Sequence, residues 1–369
     1  MILTMDNRKE SVVQKLEEVI SSFENKDFNM YFFVMDTKGN PQSGVEYMYD
    51  IALNLHENGY NVTMLHQEQE FVGPFDWLGE RYTVLPHANV EQSNVAITPA
   101  DFLFIPEVYT NVMTQTKELP CRRVVVCRNP ELMLEFIPVG ATWADLNIYD
   151  AIVPSVQVSE MLKGWFPTLR THLIRPSVRT AFHTDDTPKN LIVNLITKDR
   201  SVLNKVLKPF FWRFPAYKWV SFRDMASPME TQLYPNVLRE GAISVWVDDD
   251  TTNALSAFEA LKSGNILIAK IPNVVPEWMI VDGELRADII WFDDFNSLHN
   301  ILASVIRGWT RNDIKDEFMT VYKTLDNIYT PEIQKSDIEK TIFDVIVKER
   351  VGEYKQILAG MKNNEVNNE

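Results

Sequence analysis

What most constrains this chain is an alternation that runs, stops at a proline-bounded segment and starts again. Apolar runs at 30–35, 61–66, 101–105, 123–127 and 151–154 have strand length, and the stretches between them have helical or turn character. The first run ends in a turn, 36–44, rich in Gly, Asn, Pro and Ser. A helix follows with Val45, Met48, Tyr49, Ala52 and Leu55 on one face, Gly59 closes it, and 61–66 alternates as the next strand. That is a strand–helix–strand unit, which demands a parallel neighbour and a right-handed crossover. After one more strand at 172–175, the segment 176–188 has Pro at both ends and reads as a linker. The pattern then restarts. Strands are expected at 191–196, 217–222, 242–247, 266–269 and 288–292, with a basic helix at 201–211 and a helix at 253–263 closed by Gly264.

Two such runs predict an α/β protein of two Rossmann-like, doubly wound parallel sheets. The expected domains are 1–180, whose residues 1–27 form an extra amphipathic helix (Val12, Leu16, Val19, Ile20, Phe23) and linker, and 181–345. A terminal helix and polar tail occupy 346–369. Ligands in such sheets lie outside the carboxyl ends of the strands, so two facing sheets would place those ends across one cleft.

With 369 residues, 45% of them hydrophobic, two cores are affordable. No stretch approaches the roughly 20 apolar residues of a spanning helix, and the first residues lack a basic start followed by an apolar core. Cys121 and Cys127 make neither a disulfide framework nor a zinc set, so a cytoplasmic, reducing setting is expected. The net charge of −15 opposes bulk attraction to nucleic acid or an anionic membrane. Its distribution is uneven. Residues 161–213 hold ten basic and three acidic side chains, a local +7 inside a remainder of −22. That pattern fits a focused anion site, with plain surface unevenness as the simpler reading. The six histidines show no ligand spacing, no metal site is expected, and no nucleophile elbow, P-loop or Gly-x-Gly-x-x-Gly is present.

Four segments can carry chemistry. Ser43-Gly44-Val45-Glu46 opens the first helix, where Gly44 permits close backbone approach and helix N–H groups face an anion or hydroxyl. The segment 148–155 ends an apolar strand in Pro154-Ser155, and 172–178 ends another in Pro176-Ser177, with Asp150 and Ser155 as structural caps. Lys198 and Arg200 follow the first strand of the second half, with Lys205 on the next helix. The richest is 245–264, VWVDDDTTNALSAFEALKSG, in which Thr251, Thr252 and Asn253 open a helix that carries Glu259. Thr252 or Asn253 is the expected N-cap.

In the order and content of these motifs, roughly 28–345 resembles the retaining GT-B glycosyltransferases of family 4. The resemblance implies metal-independent transfer of a sugar from a nucleoside-diphosphate sugar, most readily a UDP-sugar, to an acceptor hydroxyl, with no further cofactor. It implies that Lys198 and Arg200 neutralise the departing diphosphate, which fixed cations do in place of a metal. It implies that Glu259 accepts from two ribose hydroxyls, and that Gly44, Thr251, Thr252 and Asn253 present backbone to the donor. The family's first Glu falls at Thr251, and the triplet Asp248-Asp249-Asp250 stands beside it as a substitute. Where the family carries cleft histidines this chain has Glu107 and Arg128-Asn129. Glu107 at a strand's carboxyl end would serve as a general base, which shifts the expectation from retention toward inversion. The loop 272–277 would cover the base. The acceptor is a saccharide, a lipid-linked glycan or modified DNA. For the last, the basic stretch with Trp165, Phe166, Phe210, Phe211 and Trp212 would supply cations and stacking rings. The rival functions are a hydroxymethylated-base DNA glycosyltransferase of phage type, a sugar-nucleotide epimerase, and a non-catalytic sugar-nucleotide-binding protein.

Overall fold

The strand β1 (Asn29–Phe33) organises the first half of the chain. Met30 and Phe32 are fully buried, and the Phe32 ring stacks on Phe104 at 4.4 Å between centroids. Burying one such side chain contributes about 1.5–3 kcal/mol. In this computed structural model residues 3–93, 95–184, 188–225, 233–248, 251–313, 325 and 327–366 are described. Around β1 stand β2 (Asn61–His66), β3 (His87–Asn89), β4 (Phe102–Pro106), β5 (Arg122–Val126), β6 (Asp150–Val153) and β7 (Arg170–Leu173). The order is β3-β2-β1-β4-β5-β6-β7 and the pairings are parallel. The winding direction reverses between β1 and β4, which makes the carboxyl ends there the natural ligand position. The helices of this half are α1 (Leu3–Glu24), α2 (Ser43–Glu57), α3 (Phe75–Leu78), α4 (Thr110–Gln115), α5 (Pro130–Met133) and α6 (Val156–Trp165).

A second parallel sheet follows, with β8 (Asn190–Ile196), β9 (Ser221–Asp224), β10 (Gly241–Trp246), β11 (Ile266–Lys270) and β14 (Ile290–Phe292) in the order β14-β11-β10-β8-β9. The short antiparallel pair β12 (Ile280–Val281) and β13 (Glu284–Leu285) lies apart from it. The helices are α7 (Arg200–Arg213), α8 (Tyr234–Glu240), α9 (Leu255–Lys262) and α10 (Phe295–Arg311). Here the reversal falls between β8 and β10.

The chain divides into two compact units at places the hydropathy pattern does not mark. One is 1–153, 161–174 and 334–369; the other is 154–160 and 175–333. The chain crosses at 153/154, 160/161 and 174/175, and the Pro331–Ile338 helix, the π-helical stretch Glu339–Val347 and the terminal helix Lys348–Val366 lead back into the first unit. The return is held by charge. Asp150 accepts from Arg122 Nε (3.0 Å), Arg170 Nη2 (2.8 Å) and His172 Nε2 (2.8 Å), and Glu349 of the terminal helix bonds Arg122 and Arg170 at 3.1 and 3.0 Å. Burial alone would raise the Asp150 pKa; the His172 hydrogen bond and the two guanidinium charges outweigh it and hold the pKa below the ordinary value. Asp150 is thus the hub of an ion network rather than a strand cap.

Three further differences have local causes. The three-residue β3 is too short to show a period, and α8 was not expected. The strand expected at 217–222 begins at Ser221 because Pro215–Tyr217 turns as a 3-10 helix, with Tyr217 packed on Phe210. Among the described residues no helix is long and apolar enough to cross a membrane.

Candidate functional site

In the second unit the loops after β8 and β10 are joined by one aspartate. Asp248 is buried, and its carboxylate accepts the Thr197 hydroxyl at 2.9 Å and the Lys198 N–H at 2.9 and 3.1 Å. That fixes the backbone at Lys198 and leaves its exposed side chain with no ion pair among the described residues. Asp199 then caps α7 by accepting the Ser201 N–H at 2.8 Å. Arg200 turns the other way, pairing with Asp224 at the end of β9 at 2.9 Å. Lys205 is exposed on α7. Of the cations expected at a diphosphate, Lys198 alone stands at the β8/β10 reversal uncommitted. Asp248 is occupied in bracing that loop, and Asp249 and Asp250 lie outside the described residues.

Thr251–Ala254 is the densest part of the site. The helix α9 starts at Leu255, and its N-cap is Ala254 in the left-handed region (φ +46°), with no side-chain cap. Neither Thr252 nor Asn253 caps it, contrary to expectation. The turn is held otherwise: the Thr251 hydroxyl accepts the Ala254 N–H at 3.1 Å, and the Trp278 indole N–H donates to the Asn253 carbonyl at 2.9 Å. A left-handed alanine costs about 1–2 kcal/mol, a strain that persists where the surroundings dictate it. The Asn253 side chain is 3% exposed, and neither Nδ2 nor Oδ1 has a hydrogen-bond partner among the described residues. A buried amide left this way costs about 1–3 kcal/mol and calls for a partner from elsewhere. Thr252 beside it is also buried.

Glu259 is half-buried in α9, beside Tyr234 of α8. Burial pushes the Tyr234 phenol well up and the Glu259 carboxylate adds to this, while the Arg179 charge opposes it. The end of the 272–277 loop and the residue after it make two contacts. Glu277 accepts the Val156 N–H at 2.5 Å and Trp278 holds Asn253. Trp278 is the residue sequence reasoning missed. Its indole carries no motif, and only its contact with the 251–254 turn reveals it.

The first unit gathers a different set at the β1/β4 reversal. The helix α2 begins at Ser43, and a Cβ on Gly44 would stand 2.6 Å from Arg128 Nη1, so the glycine lets the guanidinium lie against the helix start. Arg128 Nη2 donates to Ser43 Oγ at 3.2 Å. Glu107, 7% exposed after β4, accepts the backbone N–H groups of Arg128 (3.2 Å) and Asn129 (3.0 Å) through Oε1. Burial raises its pKa; the Asn129 N–H and the Arg128 charge act against the rise. Through these bonds Glu107, expected from the sequence as a general base, positions the turn that carries Arg128. Of the five aromatics expected to stack, Phe210 is core, Phe166 stacks on Trp143 at 5.1 Å, Phe211 is half-buried, and Trp165 and Trp212 are exposed.

The chain matches no protein-family model and no curated protein. It is similar to solved structures. TarM of S. aureus superposes with a TM-score of 0.61 at 9% identity, over 85% of this chain and 98% of that one. Sucrose-phosphate synthase from Thermosynechococcus elongatus gives 0.53 at 11%, over 90% and 99%. An α-glucosyltransferase (AGT) in complex with UDP gives 0.51 at 13%, over 87% and 99%. At such identities the likeness is one of fold, and with its two parallel sheets the chain carries the GT-B fold of the glycosyltransferases.

Proposed function

We propose that the chain is a glycosyltransferase that takes its sugar from a nucleoside-diphosphate donor bound by the second unit. The buried, unpartnered Asn253 amide at the start of α9 carries this reading. An amide offers donors to phosphate oxygens and an acceptor to a sugar hydroxyl. The N–H groups of Leu255 and Ser256 in the first turn of α9, which a helix does not satisfy internally, support the same reading. Lys198 supplies a fixed positive charge that offsets the negative charge building on the leaving diphosphate, the part a metal would otherwise take. Arg200 joins it only by leaving Asp224. Glu259 takes the ribose hydroxyls, and Thr251 and Thr252 shape the turn. Several fold neighbours were solved with UDP, which favours a UDP-sugar as donor.

Retention is the stereochemistry we favour, because Glu107 is committed to the Arg128–Asn129 turn. Gly44 and Arg128 then face the acceptor side. A panel of UDP-, GDP- and ADP-sugars titrated by calorimetry, with Glu259→Ala beside the parent, tests the donor site. Unchanged affinity in that variant would misplace it. Mass spectrometry of free sugar nucleotide after incubation without acceptor separates transfer from epimerisation, and proton NMR of the product anomer decides retention.

A further inference from the structure

The outer face of α7 and the turn after it belong to no part of the donor site. From Arg200 to Arg223 the chain has six cations and no acid, in a protein whose remaining charge is −21. Arg200 and Arg223 are spent on Asp224 and Glu240, at 2.9 and 2.8 Å. Lys205, Lys208, Arg213 and Lys218 are exposed and make no ion pair among the described residues. Between them stand two bare indoles, Trp212 at 76% and Trp219 at 61% exposure. Lys205, Lys208 and Trp212 fall at helical spacing and share one face of α7. The opposite face, Val206 and Phe210, is buried in the second unit's core. An exposed indole forgoes one of the largest apolar gains a side chain offers, and two within eight residues of four free cations need a reason.

We propose that this face binds single-stranded nucleic acid, with the lysines and arginine on phosphates and Trp212 and Trp219 stacked on bases. Cations plus planar rings are the two elements such binding uses. Duplex bases are already stacked, so only unpaired ones offer faces to both rings. A bilayer fits less well. An interfacial helix inserts an aliphatic face, whereas the aliphatic face of α7 is buried and the two tryptophans are the only large apolar side chains exposed between 200 and 223. An acidic peptide would satisfy the cations but gives the indoles no planar partner.

Fluorescence anisotropy with a labelled mixed-sequence oligonucleotide of about 16 nucleotides tests this on the full chain. Four phosphate contacts give a log–log salt slope near −3, so affinity should fall about fiftyfold between about 50 and about 200 mM salt. Trp212→Ala and Trp219→Ala should each lose about fivefold to a hundredfold. Lys208→Glu with Lys218→Glu should flatten the slope without touching the rings. No binding at the lowest salt, tight binding that ignores these substitutions, equal affinity for the duplex, or sedimentation with phosphatidylserine vesicles but no oligonucleotide binding would each overturn the proposal. UDP-sugar affinity measured on the same samples should not move. Absence of oligonucleotide binding by the parent chain while it binds UDP-sugar sinks this surface alone; oligonucleotide binding by a parent that takes no sugar nucleotide sinks the donor reading alone.

Discussion

Replacing Asn253 by alanine should make the protein more stable and a poorer binder at once. The side-chain amide is 3% exposed, with no partner among the described residues on either polar atom. Such a group costs about 1–3 kcal/mol, and truncation recovers that. Against it stands the packing lost beyond Cβ, about 1 kcal/mol for a small deletion. The net gain is zero to about 2 kcal/mol, which for a unit of this size moves Tm by about 0 to +6 °C. With donor present the balance reverses. Hydrogen bonds from a neutral amide to a charged phosphate contribute about 1.5–3 kcal/mol, so UDP-sugar affinity should drop about 10- to 150-fold. Scanning calorimetry of the free protein and titration calorimetry with UDP-glucose read the two effects separately. A Tm that falls by several degrees with affinity unchanged would show the amide to be structural and refute the reasoning.

Other outcomes follow from the same geometry. Gly44→Ala places a Cβ 2.6 Å from Arg128 Nη1, the far end of a flexible side chain; stability should change by under about 1 kcal/mol while kcat/KM for the acceptor drops, and unchanged kinetics would remove Arg128 from the acceptor side. Glu259→Ala should weaken UDP-sugar binding at least about tenfold, as expected when a charged acceptor of two hydroxyls is lost, with Tm nearly unmoved. Asp150→Asn should cost about 1.5–3 kcal/mol, because the buried Arg122 loses its buried carboxylate and keeps the more exposed Glu349. The parent's contribution from Asp150, whose folded pKa is depressed, is present above about pH 4 and lost as pH falls through the folded value; urea melts across acid pH should show it. His87 is held at about 4 by burial and then by His66. Its contribution is full above pH 6.5 and declines toward pH 4, by up to about 3 kcal/mol. His87→Phe should flatten that decline.

Much of the fold was legible because buried parallel strands write themselves as apolar runs. β1, β2, β4, β5, β8, β10 and β11 all fell within a residue or two of expectation. The return of the terminal helices was not legible, since it rests on Arg122, Asp150, Arg170 and Glu349, four residues far apart in sequence whose meeting no local pattern announces. At the site, Glu259 and the Thr251–Asn253 turn could be placed from the α9 motif. The cap could not, because a left-handed Ala254 defies propensity and is imposed by Thr251 and Trp278. Charge type was readable at Arg200 and Glu107, but their partners were not. Asp224 and the Arg128–Asn129 turn decide what those two side chains can do.

The interleaving of the two units also sets an order of assembly. The second unit lies almost wholly within one continuous stretch, 175–333, whereas the first needs 334–369 to be complete. On a ribosome adding about 5–20 residues each second, those 159 intervening residues hold the first unit unfinished for about 8–30 s. During that interval Arg122 and Arg170 lack Glu349, and Phe23 and Tyr60 lack Tyr354 and Phe343. The amino-terminal half, although made first, is thus the last to gain its full set of contacts. A stop codon late in the message would damage the beginning of the molecule more than its middle.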